Sequence, residues 1–200
     1  MRDGWFIFRT ATGRNPKARI APSLWPFVPE GNGVKVTKKF CLAVHEAGHT
    51  IAASSVGGIV INRVSIEPTT HGGETILGHL EYTCTDSPED LRGELITILA
   101  GRLAVAKLRG KSAPRDLPDV LAWLEKVSPI DAAMIRDVLQ ELCGADLEPD
   151  RVFAEAFQAA EQLLDRRWNA VIGLAEILKD ISPTLEGQPL SDVLATLLPS

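Results

Sequence analysis

Cysteine is scarce in this 200-residue chain, with three residues at positions 41, 84 and 143. Their odd number and wide spacing exclude a self-contained disulfide framework, and no C-x-x-C pair offers a redox motif or a thiolate metal site. Each lies in an apolar stretch and reads as a reduced, packed thiol. Basic charge is also in short supply: 21 Lys and Arg face 26 Asp and Glu, a formal net charge of −5. Arg9, Arg14, Lys17 and Arg19 are spread among Gly, Thr and Pro rather than gathered on one face. The chain therefore lacks the electrostatic footprint of a nucleic-acid binder. No apolar run approaches the roughly 18 residues of a membrane span, and Met1-Arg2-Asp3-Gly4-Trp5 does not begin a signal peptide's apolar region, so the expected location is cytoplasmic. The G-x-x-x-x-G-K-[ST] phosphate loop of an ATPase is missing, and there is neither an internal repeat nor a low-complexity segment.

What is present is enough apolar residue, 45% of the chain, to bury one substantial core. One domain spanning residues 37–200 is expected behind an irregular arm of residues 1–36. The arm holds Trp5-Phe6-Ile7-Phe8, a short strand by composition, then a Gly- and Pro-containing stretch ending at Gly31-Asn32-Gly33. Trp5, Trp25 and Phe27 are expected to pack it on the core. From Thr37, a good N-cap, Phe40, Val44, Ala47 and Ile51 recur at helical spacing until Gly57-Gly58. Residues 59–67 and 77–84 read as two strands, the second with Leu80, Tyr82 and Cys84 on one side.

Ser87-Pro88-Glu89-Asp90 starts a helix that reaches Gly110, with Leu91, Leu95, Leu99 and Leu103 on its apolar face. A short helix over 118–126 is separated by Ser128-Pro129 from another ending at Gly144. A long helix over 149–180 places Phe153, Phe157, Leu164, Trp168, Ile172 and Ala175 at helical intervals before Ser182-Pro183. Residues 189–197 form a last helix. The fold class is mainly α (α+β), with a small sheet of two or three strands beside the first helix.

His45-Glu46-Ala47-Gly48-His49 matches H-E-x-x-H. Histidines four apart on a helix share one face, so both imidazoles can reach one ion. The intervening Glu46 projects from an adjacent part of the surface, where it can take a proton from water without ligating. Chance writes this pattern in roughly half a percent of chains of this length. Two polar rings and a carboxyl beside an apolar face also cost desolvation unless something satisfies them. The expected metal is zinc, and the pattern supplies only two ligands.

Ala43-Val44-His45-Glu46-Ala47-Gly48-His49 resembles the proteolytic domain of the FtsH-type ATP-dependent zinc proteases. The resemblance extends through Ile61-Asn62-Arg63-Val64-Ser65-Ile66-Glu67-Pro68, Ile76-Leu77-Gly78-His79-Leu80, Leu99-Ala100-Gly101-Arg102-Leu103-Ala104 and Thr184-Leu185-Glu186-Gly187, roughly residues 40–195. It implies a helical zinc-peptidase domain that cleaves unfolded or flexible protein segments. It also implies a third ligand, an aspartate at the start of a helix, at the position of Asp131 in Ser128-Pro129-Ile130-Asp131; the family's preceding asparagine is Ile130 here.

A capping box, with Ser128 as N-cap and Asp131 answering the exposed amides, is the competing role for these residues. Asp116, Asp119 and Glu94 are the substitute ligands. His71, beside two glycines, reads as loop surface, and His79, on the second strand, is a candidate substrate contact. Without the family's motor signature, substrate arrives already unfolded or from a separate ATPase, and the family's homo-oligomeric assembly stays open. Two rival readings stand beside this one: a stand-alone zinc peptidase of another type that cuts one regulatory protein, and a non-catalytic interaction module that retains the fold.

Overall fold

The computed structural model describes residues 4–9, 36–71, 74–143 and 148–199, with residues 4–9, 71 and 74–76 described as backbone alone. Trp25, Phe27 and Gly144 lie outside them. The chain is mainly helical with one small sheet. In order come β1 (Gly4–Arg9), α1 (Lys38–Val56), β2 (Ile59–Ser65), β3 (Thr69–His71), β4 (Glu74–Cys84), α2 (Pro88–Leu108), α3 (Leu117–Val127), α4 (Pro129–Cys143), α5 (Pro149–Asp180), β5 (Thr184–Glu186) and α6 (Gly187–Leu197).

The helix α1 organises the molecule. Thr37 Oγ1 accepts the Phe40 amide at 3.1 Å, satisfying one of the free donors of the first turn. The helix stops at Gly57 and Gly58, whose φ values of 74° and 70° lie in the left-handed region that glycine enters without a Cβ penalty. Every residue from 41 to 53 is buried. A helix buried all round must be enclosed, and α1 packs against α2, α5, β2 and β4.

Its closest approach is to α2, at Gly48. A Cβ there would come within 2.8 Å of both the Ala100 carbonyl oxygen and Ala104 Cβ, so the two backbones nearly touch. This contact aligns the H-E-x-x-H face with residues 97–104 of α2. At its own start, α2 uses Ser87, whose Oγ accepts the Asp90 amide at 3.2 Å, with Pro88 in the first turn as expected.

The expected strands are β2 and β4, paired antiparallel with Ile59 opposite Cys84 and Ser65 opposite His79. Leu80, Tyr82 and Cys84 are buried together, as their alternation predicts. Short strands extend this antiparallel pair: β5 adds three residues to the free side of β2, β3 folds onto the start of β4, and β1 runs parallel along the other side of β4. The described part of the N-terminal arm is thus a sheet strand. The long helix α5 breaks regularity at Arg167 (φ −110°, ψ 15°), and it is a kinked rod rather than one straight helix. Among the described residues, no helix is long and apolar enough to cross a membrane.

Candidate metal centre

His45 and His49 emerge from the α1 face that meets α2, and both are fixed by α2 main chain. His49 Nδ1 donates to the Thr97 carbonyl at 2.7 Å, and His45 is hydrogen-bonded to the backbone of Gly101. With its proton held on Nδ1, His49 carries a bare lone pair on Nε2, the tautomer a metal requires. Gly101 is indispensable to this arrangement: a Cβ there would fall 2.2 Å from His49 Nε2.

The two Nε2 atoms face each other at 3.0 Å, and Asp131 Oδ2, from the first turn of α4, stands 3.8 Å from His45 Nε2. One ligand atom from each of His45, His49 and Asp131 lies within 4.8 Å of the others, and this group can hold a metal ion. Two nitrogens on one tetrahedral ion about 2.0 Å away stand about 3.3 Å apart, close to the observed spacing. Burial makes the case stronger. Neither oxygen of Glu46, whose residue is fully buried, accepts a hydrogen bond from a described residue, and Asp131 is 1% exposed, with Arg102 Nε at 3.5 Å and His45 Nε2 at 3.8 Å from its Oδ2. Buried carboxyl groups are costly without compensation, and a cation supplies it.

Of the two roles open to Asp131, capping is not the one its side chain takes. Ser128 Oγ is buried and makes no hydrogen bond to a described residue, so the capping box is not closed, while the Asp131 carboxylate turns into the centre. The substitutes lie elsewhere. Glu94 accepts the Tyr82 hydroxyl at 2.6 Å with Cys84 Sγ 3.8 Å away, and Asp116 and Asp119 are exposed at the start of α3. Of His71 only the backbone is described. His79 is nearly fully buried beside Glu81, at 3.3 Å, and by strand parity it faces away from the side of β4 on which Gly78 meets Glu46.

Glu46 stands outside the ligand group, against β4. A Cβ on Gly78 would approach its Oε1 to 2.8 Å, so a glycine at that point of the strand makes room for the carboxyl group. Its pKa is driven well above the ordinary carboxylate range, first by burial and then by the Asp131 charge. Burial also lowers His45 and His49, with Arg102 adding to the effect at both. Both rings are accordingly neutral and available to a metal at neutral pH.

Two residues that carry the site are not evident from H-E-x-x-H. Arg102 is 3% exposed, its Nη2 donates to the Val127 carbonyl at 2.8 Å, and its Nε faces Asp131. It ties the end of α3 and the start of α4 to α2, which fixes where Asp131 enters. Gly78 is the other. A cation in the middle of the apolar run Leu95 to Ala106 was the available signal, because Arg is almost never fully buried unless paired.

The shifts set a pH dependence for the metal-free protein. His45, His49 and His79 have folded pKa values below 6.5, so below that pH the unfolded chain binds protons that the fold refuses, and their contribution is lost as pH falls. Glu46 runs the other way, since its folded pKa is raised and its contribution is lost as pH rises above 4.5. Below pH 6.5 the three histidines set the direction, since it is there that their unfolded-state protonation rises. The urea midpoint measured with a chelator present is expected to fall between about pH 6.5 and about pH 5.5, the unfolding free energy dropping by about 1.4 kcal/mol per pH unit for each excess proton bound by the unfolded chain. A midpoint that rises over that interval would contradict the buried, neutral state of the histidines.

No protein-family model and no curated protein matches this chain.

Proposed function

We propose that the chain is a zinc-dependent endopeptidase that hydrolyses peptide bonds in unfolded or flexible protein segments. The reading rests on one observation above others: His45, His49 and Asp131 converge within 4.8 Å while Glu46 stands beside them as a non-ligating carboxyl group. Two imidazoles and one carboxylate are a donor set of catalytic zinc, leaving one position for water or substrate. The resemblance of residues 40–195 to the FtsH-type zinc proteases, Asp131 included, points the same way.

When bound, zinc supplies Lewis acidity, which lowers the pKa of water to about 7 and polarises a peptide carbonyl. The chain's own groups do the rest. Glu46 takes a proton from the attacking water and returns it to the leaving nitrogen, acting as base and then as acid. A carboxyl group whose pKa burial raises is a stronger base than an ordinary carboxylate and still an acid, so it is suited to both halves of that exchange. His49, tethered to Thr97, and Asp131, tethered through Arg102, keep the donor geometry fixed through the cycle.

A second reading, a structural metal in a non-catalytic module, is favoured by one observation: His45, Glu46, His49 and Asp131 are each at most 1% exposed. Structural zinc sites are closed, but they usually present four Cys or His ligands, and this group has three with a carboxylate among them. The purified protein is expected to contain about one zinc per chain, to cleave casein, and to lose cleavage on chelation and regain it on zinc addition. Zinc without cleavage under any condition would support the structural reading. A chain that binds no zinc would end both.

A further inference from the structure

We infer that Gly4–Arg9 is an inhibitory strand that occupies the peptide-docking edge beside the metal centre, an inference that rests on the peptidase reading. The relevant edge belongs to β4. At Gly78 this strand meets Glu46, as the 2.8 Å from a Gly78 Cβ to Oε1 shows. One side of β4 is paired with β2 over residues 79–84. Along residues 76–82 the other side is paired with β1, with Gly4 level with Ile76, Trp5 with Gly78, Phe6 with His79 and Arg9 with Tyr82. The strand β1 also lies beside α4, whose first turn carries Asp131. It therefore runs between the strand that meets the base and the helix that supplies the carboxylate ligand.

Closure of the centre is an independent observation. A peptidase must admit a carbonyl and a water to its metal, yet the three ligands and Glu46 expose at most 1% of their surface. Extended peptides dock by adding main-chain hydrogen bonds to a free strand edge, and an edge already paired has none to offer. An extended substrate and β1 thus compete for the same N–H and C=O groups of residues 76–82. Because β1 belongs to the same chain, it competes at high effective concentration. Its core, Trp5-Phe6-Ile7-Phe8, is aromatic and β-branched, a composition that favours the paired state. Release of β1 opens the edge and the path to the metal together.

Full-length chains carrying Phe6→Pro or Ile7→Pro test this. Successive N–H groups of a strand point to opposite edges, so one proline removes a bond to β4 and the other faces away and serves as its control. Both variants should keep the wild-type circular dichroism. Three readouts apply: the rate at which a chromogenic chelator strips zinc, the rate of casein cleavage, and, in metal-free protein, amide hydrogen exchange over residues 76–82. In the ladder-breaking variant each is expected to rise about tenfold over wild type, with the control variant unchanged. Folded variants that match wild type in all three readouts would overturn the proposal. Faster exchange and zinc release with no cleavage by any protein would leave the strand's cover of the centre standing and overturn the peptidase reading instead.

Discussion

Glu46→Gln is expected to keep the zinc content of the wild type and to lower kcat/KM for casein by about 10²- to 10⁴-fold, the usual worth of a positioned general base. Metal retention follows from geometry, because the atoms that can hold an ion belong to His45, His49 and Asp131 and not to Glu46. Survival of the fold follows from charge. Burial, reinforced by Asp131, raises the Glu46 carboxyl well above its ordinary pKa, so the fold of the metal-free protein favours the protonated, neutral form there. An amide of the same shape resembles that favoured neutral form and adds no buried charge. The loss should appear in kcat with KM nearly unchanged, since Glu46 acts on the proton and not on peptide binding. Zinc content by metal analysis, urea midpoints and steady-state cleavage decide the matter together. Undiminished cleavage by a folded, zinc-loaded variant would remove Glu46 from the chemistry.

Much of this arrangement can be read from local chemistry, and the parts that cannot share one cause. The caps of α1 and α2, at Thr37 and Ser87, and the stop at Gly57-Gly58 are local signals and coincide with the observed ends. The alternation of Leu80, Tyr82 and Cys84 locates β4 because one face of the strand is buried. By contrast, β3 and β5 are three residues each, too short for a pattern, and exist because β4 and β2 offer them partners. The kink at Arg167 leaves the apolar spacing of α5 intact on both sides, so periodicity does not reveal it.

The same division runs through the site. His45, Glu46 and His49 share one helical turn or so and are legible as a motif. Asp131 is distant in sequence, and Ser128-Pro129-Ile130-Asp131 is as good a helix start as a ligand segment. Only the tertiary placement of α4, with Ser128 Oγ making no hydrogen bond to a described residue and Asp131 turned toward His45, separates the two roles. Gly78 and Gly101 matter for what they leave room for, the Glu46 carboxyl group and the His49 ring, and a missing side chain carries no sequence signal of its own.

Arg102→Met is expected to destabilise the metal-free protein by about 3–5 kcal/mol, the cost of leaving a buried carboxylate without its cation, and the zinc-loaded protein by much less. The difference between the two states carries the test. In the metal-free fold Asp131 is 1% exposed, and the Arg102 guanidinium, 3.5 Å away, is the cation that faces it. Zinc at the ligand group would neutralise the same carboxylate, so the loaded protein loses chiefly the Val127 contact and the packing of the side chain, and methionine restores part of that packing. The separation between zinc-loaded and metal-free urea midpoints should therefore widen, a linkage in which the metal binds only the native state. Arg102→Lys should fall between the two, since an ammonium retains the charge but cannot span the Val127 carbonyl and Asp131 with one planar fork. If Arg102→Met lowered both states equally, Arg102 would be a strut between α2 and α3 with no energetic hold on Asp131. A widened gap would mean that the fold keeps the third ligand in place by lending it a cation until the metal arrives.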